Sequence, residues 1–318
     1  CPTCGNLYAM QRTTSMSFKL INTTHRHCVF TIDENLRPFF LKDRSLLDCL
    51  FHSVNSVVSH MFFKQNKSMN FTPGFIMVLH TFGRDLKWNP HIHCLISEGG
   101  YSDNGFWRNC TYFNYTYLRN AFRTALLNEL ETRLGPSFKK VKATCYREHK
   151  EGFYVYAKPN KCDPNVVVKY IGRYLGRPVI ATSRIDKYDG DFVTFHYNRH
   201  EDDAYIEESV PVMDFIKRLI QHIPEKHYKM IRYGGIYARH RDIDKKLLRA
   251  ISRKKHHIYK SFNHWRNAIL SSFGYDPLKC ECGATMLFLE LYFNHKRVSL
   301  KEMYKRAMSR SRGIRSSA

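Results

Sequence analysis

The sequence predicts an α+β fold: a ferredoxin-like (split βαβ) antiparallel sheet with helices on one face, followed by a basic helical C-terminal region. Three observations predict it. Short runs rich in β-branched and aromatic residues alternate with longer runs whose apolar residues recur at three- and four-residue steps. The runs follow one another as strand, helix, strand, strand, helix, strand, helix. Pro, Gly, Asn and Asp punctuate the junctions where the chain has to turn.

Each element has its own signal. CVFTI (28–32) is a strand by its side chains. From Arg44 to about Phe63 the residues Leu46, Leu47, Leu50, Val54, Val57, Val58 and Met61 form one apolar face, which predicts an amphipathic helix. FIMVLHT (75–81) follows Pro73-Gly74 as a second strand. HIHCLIS (91–97) is a third, entered through Asn89-Pro90 and stopped by Gly99-Gly100. A helix spans about Tyr117 to Leu134, ending before Gly135-Pro136, and GFYVYAK (152–158) is the fourth strand. Asp163 and Pro164 suit the N-cap and first position of a helix that carries YIGRY (170–174). Beyond it lie a β-hairpin region (179–207), a helix (211–222) and a basic helical stretch ending in the low-complexity SRSRGIRSSA.

The composition is that of a packed protein with an anionic partner. Among 318 residues, 43% are hydrophobic, with 22 Phe and 20 Tyr, which excludes a disordered chain. Against 28 Asp and Glu stand 51 Lys and Arg, a formal net charge of +23. Nucleic acid is the partner this predicts, because neutralised phosphates release their condensed counterions. Basic and aromatic residues also interleave, as in YREHK, YNRH and MIRYGG, in the manner of stacking-plus-phosphate surfaces. No secretory signal or membrane-length apolar run is visible, so a cytoplasmic location and no membrane partner are expected.

Of ten cysteines, Cys28, Cys49, Cys94, Cys110, Cys145 and Cys162 stand singly in apolar or mixed surroundings and read as small core residues. Cys1 and Cys4, in CPTCG, have the spacing of one half of a tetrahedral zinc site, whose other two ligands must come from elsewhere. Cys280 and Cys282 form a tighter pair that fits such a site less well.

Residues two apart on a strand share a face, so His91 and His93 project together while Ile92 enters the opposite layer. Two imidazoles so placed can share a divalent ion; alternatively they are packed histidines. His25-Arg26-His27 is a second such pair. It is expected to lie ahead of the first strand, and it lacks the apolar middle residue. Residues four apart on a helix are one turn apart, so Tyr170 and Tyr174 reach toward one place. Cations at Lys169, Arg173 and Arg177 could stabilise a phenolate, whose ordinary pKa is near 10.

These motifs together resemble the HUH endonuclease superfamily, and within it the two-tyrosine rolling-circle transposases of bacterial insertion sequences. The resemblance extends over CPTCG, HRHCVFTIDENLRPFF (25–40), LHTFGRDLKWNPHIHCLISEGG (79–100), VVKYIGRYLGRP (167–178) and FIKRLIQHIPEKHYKMIRYGGIYA (215–238). It implies an HUH core in which His91 and His93 hold Mg²⁺ or Mn²⁺, with Tyr170 and Tyr174 as nucleophiles. It further implies cleavage and rejoining of single-stranded DNA through a 5′-phosphotyrosine. The motifs do not carry a third metal ligand; His80, on the neighbouring strand, is either that ligand or a core histidine. The expected domains are a zinc-module remnant with possible Zn²⁺ (1–24), the nuclease core (25–178), a hairpin and helical extension (179–240) and the basic region (241–318). The rival readings are a relaxase or replication initiator of the same superfamily, a non-catalytic DNA-binding fragment, and a zinc hydrolase using Glu98 or Asp85 as its base.

Overall fold

The computed structural model describes residues 20–21, 23–65, 71–102, 106–157, 179–199, 202–238, 266, 270, 275–286, 291–293 and 296–298. The chain divides into two compact units, Cys1–Phe262 and Asn263–Ala318. In the first unit β1 (His25–Thr31) leads through α1 (Arg37–Lys42) into α2 (Leu47–Gln65). β2 (Phe71–Phe82), β3 (Trp88–Ser102) and β4 (Trp107–Asn109) follow, then α3 (Tyr115–Leu134), α4 (Lys139–Glu148) and β5 (Val155–Ala157). After them come β6 (Ile185–Tyr188), β7 (Phe192–Asn198), β8 (Tyr205–Pro211), α5 (Val212–Ile220) and β9 (Ile231–Gly235).

The main sheet has the order β5-β1-β3-β2-β9, with β4 beside β3, and its pairings are antiparallel. β3 inserts between β1 and β2, which makes this the split βαβ arrangement the sequence predicts; β9 is added along β2. The pleat gives the sheet two different faces. Cys28, Phe30, Phe75, Met77, Leu79, Ile92, Cys94 and Ile96 join one core with Leu50, Val54, Val57, Val58 and Met61 of α2 and Leu118, Phe122, Leu126, Leu127 and Leu130 of α3. Both helices therefore cover one side. The Asn114 side chain caps α3 by accepting from the Tyr117 N–H, and Gly135, at φ 76°, ends it.

On the other side, Ile76, Val78 and Leu95 are covered by Leu20, Ile21, Ile236 and Tyr237. The rest of that face carries histidines. His25 is anchored beneath the cover: its Nδ1–H donates to the Thr23 carbonyl at 2.9 Å, so Nε2 accepts from the Tyr237 hydroxyl at 2.6 Å. The Tyr237 oxygen in turn accepts the Ile21 N–H at 3.2 Å. Burial pushes the His25 pKa down to about 4, offset in part by the Thr23 bond.

A second, smaller core joins the three-stranded sheet β6-β7-β8 to α5 through Val193, Phe195, Val210 and Phe215. Leu86, in the β2–β3 turn and at φ 62°, is fully buried in this core. It ties the small sheet to the tip of the hairpin that carries the histidines. In the second unit, β10 (Leu291–Phe293) pairs with β11 (Lys296–Val298), and Lys279 bridges Thr285 around Cys280 and Cys282, both exposed. Among the described residues no helix is long and apolar enough to cross a membrane.

Several expectations are corrected. His25-Arg26-His27 does not precede the first strand; β1 begins at His25, and both histidines take ladder positions opposite β3. β3 is not stopped by Gly99-Gly100, because those residues pair with Asn109 and Arg108 of β4. Nor does Pro90 begin it: Pro90 lies at the register shift between His80 and Phe82, where its missing N–H does no harm. The hairpin region is a three-stranded sheet extending to Pro211, and MIRYGG supplies β9. α4 has little apolar periodicity, with Cys145 its buried residue, so no helical signal is legible in that segment. Cys28, Cys49, Cys94 and Cys145 are buried, as their surroundings predict, and Cys110 is half-buried.

Gly235 has φ +57°, and a Cβ there would run into the Pro73 carbonyl oxygen. Gly235→Ala is expected to cost at least about 2 kcal/mol, measured by urea unfolding, from left-handed backbone strain plus the clash. His25 predicts an acid dependence with a defined sign. Its folded pKa is depressed, so the unfolded chain takes up the proton first, and stability falls as pH drops from about 6.5 through about 4. The linkage amounts to about 3 kcal/mol. A His25→Phe variant should show a flatter stability–pH curve over that window.

Candidate metal centre

Four histidines meet on the open part of the sheet's second face. Thr31 of β1 stands opposite His91 and Val29 opposite His93, while His80 of β2 stands opposite His91 from the other side. His27 lies one pleat further along β1, opposite Leu95. The strands thus bring together residues separated by more than sixty positions.

The Nδ1–H of His91 donates to the Asn89 carbonyl at 2.7 Å, which leaves its lone pair on Nε2. That atom is 3.1 Å from Nε2 of His93, and Nδ1 of His93 is 2.8 Å from Nε2 of His27. The His80 ring lies 4.1 Å from the His93 ring and 5.5 Å, edge-on, from His91. His80, His91 and His93 each offer a ligand nitrogen, and the three atoms lie within 4.8 Å of one another.

This donor set fits a divalent ion. Two nitrogens about 2.1 Å from one ion and at right angles are about 3 Å apart, close to the His91–His93 separation. The same geometry serves two proton arrangements. With protons running from His27 to His93 to His91 to the Asn89 carbonyl, every bond has one donor. When His93 instead carries its proton on Nδ1 and donates to His27, the Nε2 lone pairs of His91 and His93 converge on a cation. His27 then orients a ligand without touching the metal. Sequence reading missed it, although its spacing from His25 was the available signal.

Electrostatics favour the ligating form. Burial, followed by the neighbouring imidazoles, depresses His80 and His93 well below the usual histidine range. His27 is lowered to about 4 by burial and then His91; His91 is lowered to about 4 by burial and Arg37, against the Asn89 bond. All four are neutral at pH 7, as metal ligation requires. His80 and His93 are almost fully buried whereas His91 is half-buried, so the cluster opens on the His91 side.

The carboxylates suggested for a hydrolase base are committed elsewhere. Glu98 is on the helix side of β3, where Arg26 donates to its Oε1 from Nε at 2.9 Å and from Nη2 at 2.7 Å. Asp85 accepts the Lys87 N–H within the β2–β3 turn. Of the other sequence-predicted site residues, Tyr170, Tyr174, Cys1 and Cys4 lie outside the described residues. The second group with ligand-like spacing, Asp33, Glu148 and His149, is a structural tie: Asp33 caps the turn after β1 and bonds His149 at the end of α4.

Removing either His91 or His93 by alanine substitution is expected to abolish Mn²⁺ binding measured by calorimetry or electron paramagnetic resonance. His27→Ala should weaken it by about 10- to 100-fold, the usual effect of losing an orienting partner. Binding should persist at pH 6, where a free imidazole is mostly protonated, and disappear as pH falls toward about 4.

A family model named Y2_Tnp and described as "Putative transposase" matches residues 74–244, which include His80, His91 and His93. The chain is 30% identical to "Transposase for insertion sequence element IS801" of Pseudomonas savastanoi pv. phaseolicola, over 75% of this chain and 60% of that protein. It is 27% identical to "Putative transposase y4qJ" of Sinorhizobium fredii, over 76% of this chain and 66% of that protein. The chain therefore spans about three fifths to two thirds of the length of these curated relatives. No solved structure is a significant match. Since the family model covers more than half of the chain, the chain belongs to the Y2_Tnp transposase family of insertion sequences.

Proposed function

We propose that this chain is the nuclease core of a transposase that cleaves and rejoins single-stranded DNA through a 5′-phosphotyrosine intermediate during rolling-circle transposition. The observation that carries the reading is the cluster of neutral histidines on the open face of an antiparallel sheet, of which His80, His91 and His93 lie inside the segment matched by the transposase family. His91 and His93 would hold the divalent ion, with His80 as third ligand and His27 orienting His93. Bound there, the ion supplies Lewis-acid polarisation of the scissile phosphate. Imidazole donors suit Mn²⁺ better than the oxygen-seeking Mg²⁺, so of the two ions expected Mn²⁺ is favoured.

Tyr170 and Tyr174 are assigned as nucleophiles by family resemblance. A phenolic oxygen attacks phosphorus in line, a Tyr–O–P bond forms, and the P–O3′ bond breaks. The phenol proton leaves to solvent, and the departing O3′ takes up a proton to become a free 3′-hydroxyl. Because the new bond is a phosphodiester of similar energy, the reverse attack by a 3′-hydroxyl rejoins the strand without a nucleotide cofactor. Two tyrosines allow cleavage of a second site while the first covalent bond persists. Zn²⁺ held by Cys1 and Cys4, with further ligands, belongs to the same reading as a DNA-engaging accessory site.

The test is covalent capture of a 3′-labelled single-stranded oligonucleotide carrying a transposon-end sequence, in Mn²⁺. Wild-type protein should form a denaturation-resistant adduct. Tyr170→Phe combined with Tyr174→Phe should reduce it at least a thousandfold, to background. An adduct of undiminished yield in that double variant would refute the assignment.

A further inference from the structure

A second functional feature lies on the same face as the histidines, two strands away. β5 runs antiparallel to β1 with Tyr156 opposite Val29. The Thr31 N–H donates to the Tyr154 carbonyl at 3.1 Å, which extends the ladder by one pleat. Val29 and Thr31 stand in turn opposite His93 and His91. Side chains facing each other in an antiparallel ladder leave the sheet on the same side. Tyr156, Val29 and His93 therefore make one row, and Tyr154, Thr31 and His91 the next. The alternation agrees, because Val155 between the tyrosines is buried in the helix-side core. Two strand spacings of about 4.8 Å put the tyrosines about 10 Å from the histidines.

These tyrosines are not core residues. Tyr154 is 57% exposed and Tyr156 39% exposed. Their rings stack with centroids 6.3 Å apart and planes 20° from parallel, and the Arg119 guanidinium is 5.8 Å from the Tyr154 ring. An open aromatic pair flanked by a cation is the composition that unpaired bases stack on. A duplex keeps its base faces covered, so the partner this surface suits is single-stranded. The net charge of +23 favours a polyanionic one. At about 3.4 Å per stacked nucleotide, 10 Å is two to three nucleotides.

We propose that Tyr154 and Tyr156 form a base-stacking platform that holds single-stranded DNA two to three nucleotides from a phosphate seated at the histidine cluster. This rests on the functional reading above, and it assigns the pair a positioning role, distinct from that of the nucleophiles.

The experiment is equilibrium binding of fluorescein-labelled oligo-dT by anisotropy, at fixed salt in Mn²⁺. It is repeated with an oligonucleotide bearing abasic sites along its length. Tyr154→Ala and Tyr156→Ala should each weaken oligo-dT binding by roughly tenfold or more, while the Tyr→Phe changes leave it unaltered. The alanine variants should lose little further affinity for the abasic strand, because the same stacking is already absent. Unchanged Mn²⁺ affinity and melting temperature would exclude misfolding. Undiminished oligo-dT binding by the double alanine variant would overturn the platform while leaving the transposase reading intact. Equal losses in the phenylalanine and alanine variants would also overturn it, pointing to the hydroxyls. If the phenylalanine variants bind but form no covalent adduct, the pair is the nucleophile and the platform role is wrong. Failure of the wild-type protein to bind oligo-dT at all would overturn the platform, while covalent capture of the transposon-end strand still decides the transposase reading.

Discussion

The two-sided hydrogen bonding of β3 is the constraint on which the rest of this molecule depends. β3 is held by β1 along one edge and by β2 along the other, so its register cannot slip without breaking both ladders. A slip of one residue would turn Ile92, Cys94 and Ile96 out of the helix-side core and drive His91 and His93 into it. The packing of Phe30, Phe122 and their neighbours therefore specifies the position of the histidines, although it touches none of them. Core and site are the two sides of one pleat.

The second face is divided in a way that sets the chemistry. One part is sealed by Leu20, Ile21, Ile236 and Tyr237, and the other is left to the histidines. Burying polar rings without partners would be costly. Here His27, His91 and His93 bond to one another and to the Asn89 carbonyl, and they stay neutral. The cover and the histidines are joined by His25, which belongs to the sealed part and shares β1 with His27 of the open part. The turn between β2 and β3 is fixed from outside by Leu86 in the small-sheet core, so the hairpin carrying His80, His91 and His93 is braced at its tip as well as along its edges.

Along β5 the same alternation that buries Val155 presents Tyr154 and Tyr156 beside the histidine rows. The clustered histidines and the exposed tyrosines thus come from separate strands: His27 from β1, His80 from β2, His91 and His93 from β3, Tyr154 and Tyr156 from the β5 edge. A single antiparallel ladder relates them, which explains how an extended ligand could meet all of them in one direction across the sheet.

Much of this could be read from the sequence because it is local. Period-two alternation in 91–97, three-and-four spacing from Leu46 to Met61, and the Gly135-Pro136 stop after the helix from about Tyr117 each report on their own segment, and together they determined the α+β class and the order of elements along the chain. His91 and His93 were legible because both are on one strand and one face. His27 was not, since its partner is 66 residues away and only the β1–β3 register brings them within 2.8 Å. α4 and β9 were also hidden: the first is basic with little apolar periodicity, and the second exists because β2 has an edge to pair with. Local side-chain pattern determines which faces are apolar; strand pairing is a long-range choice. The tertiary structure alone decided which imidazoles would share a site and which tyrosines would stand beside them, because pairing, not sequence distance, sets the separation between side chains in a sheet.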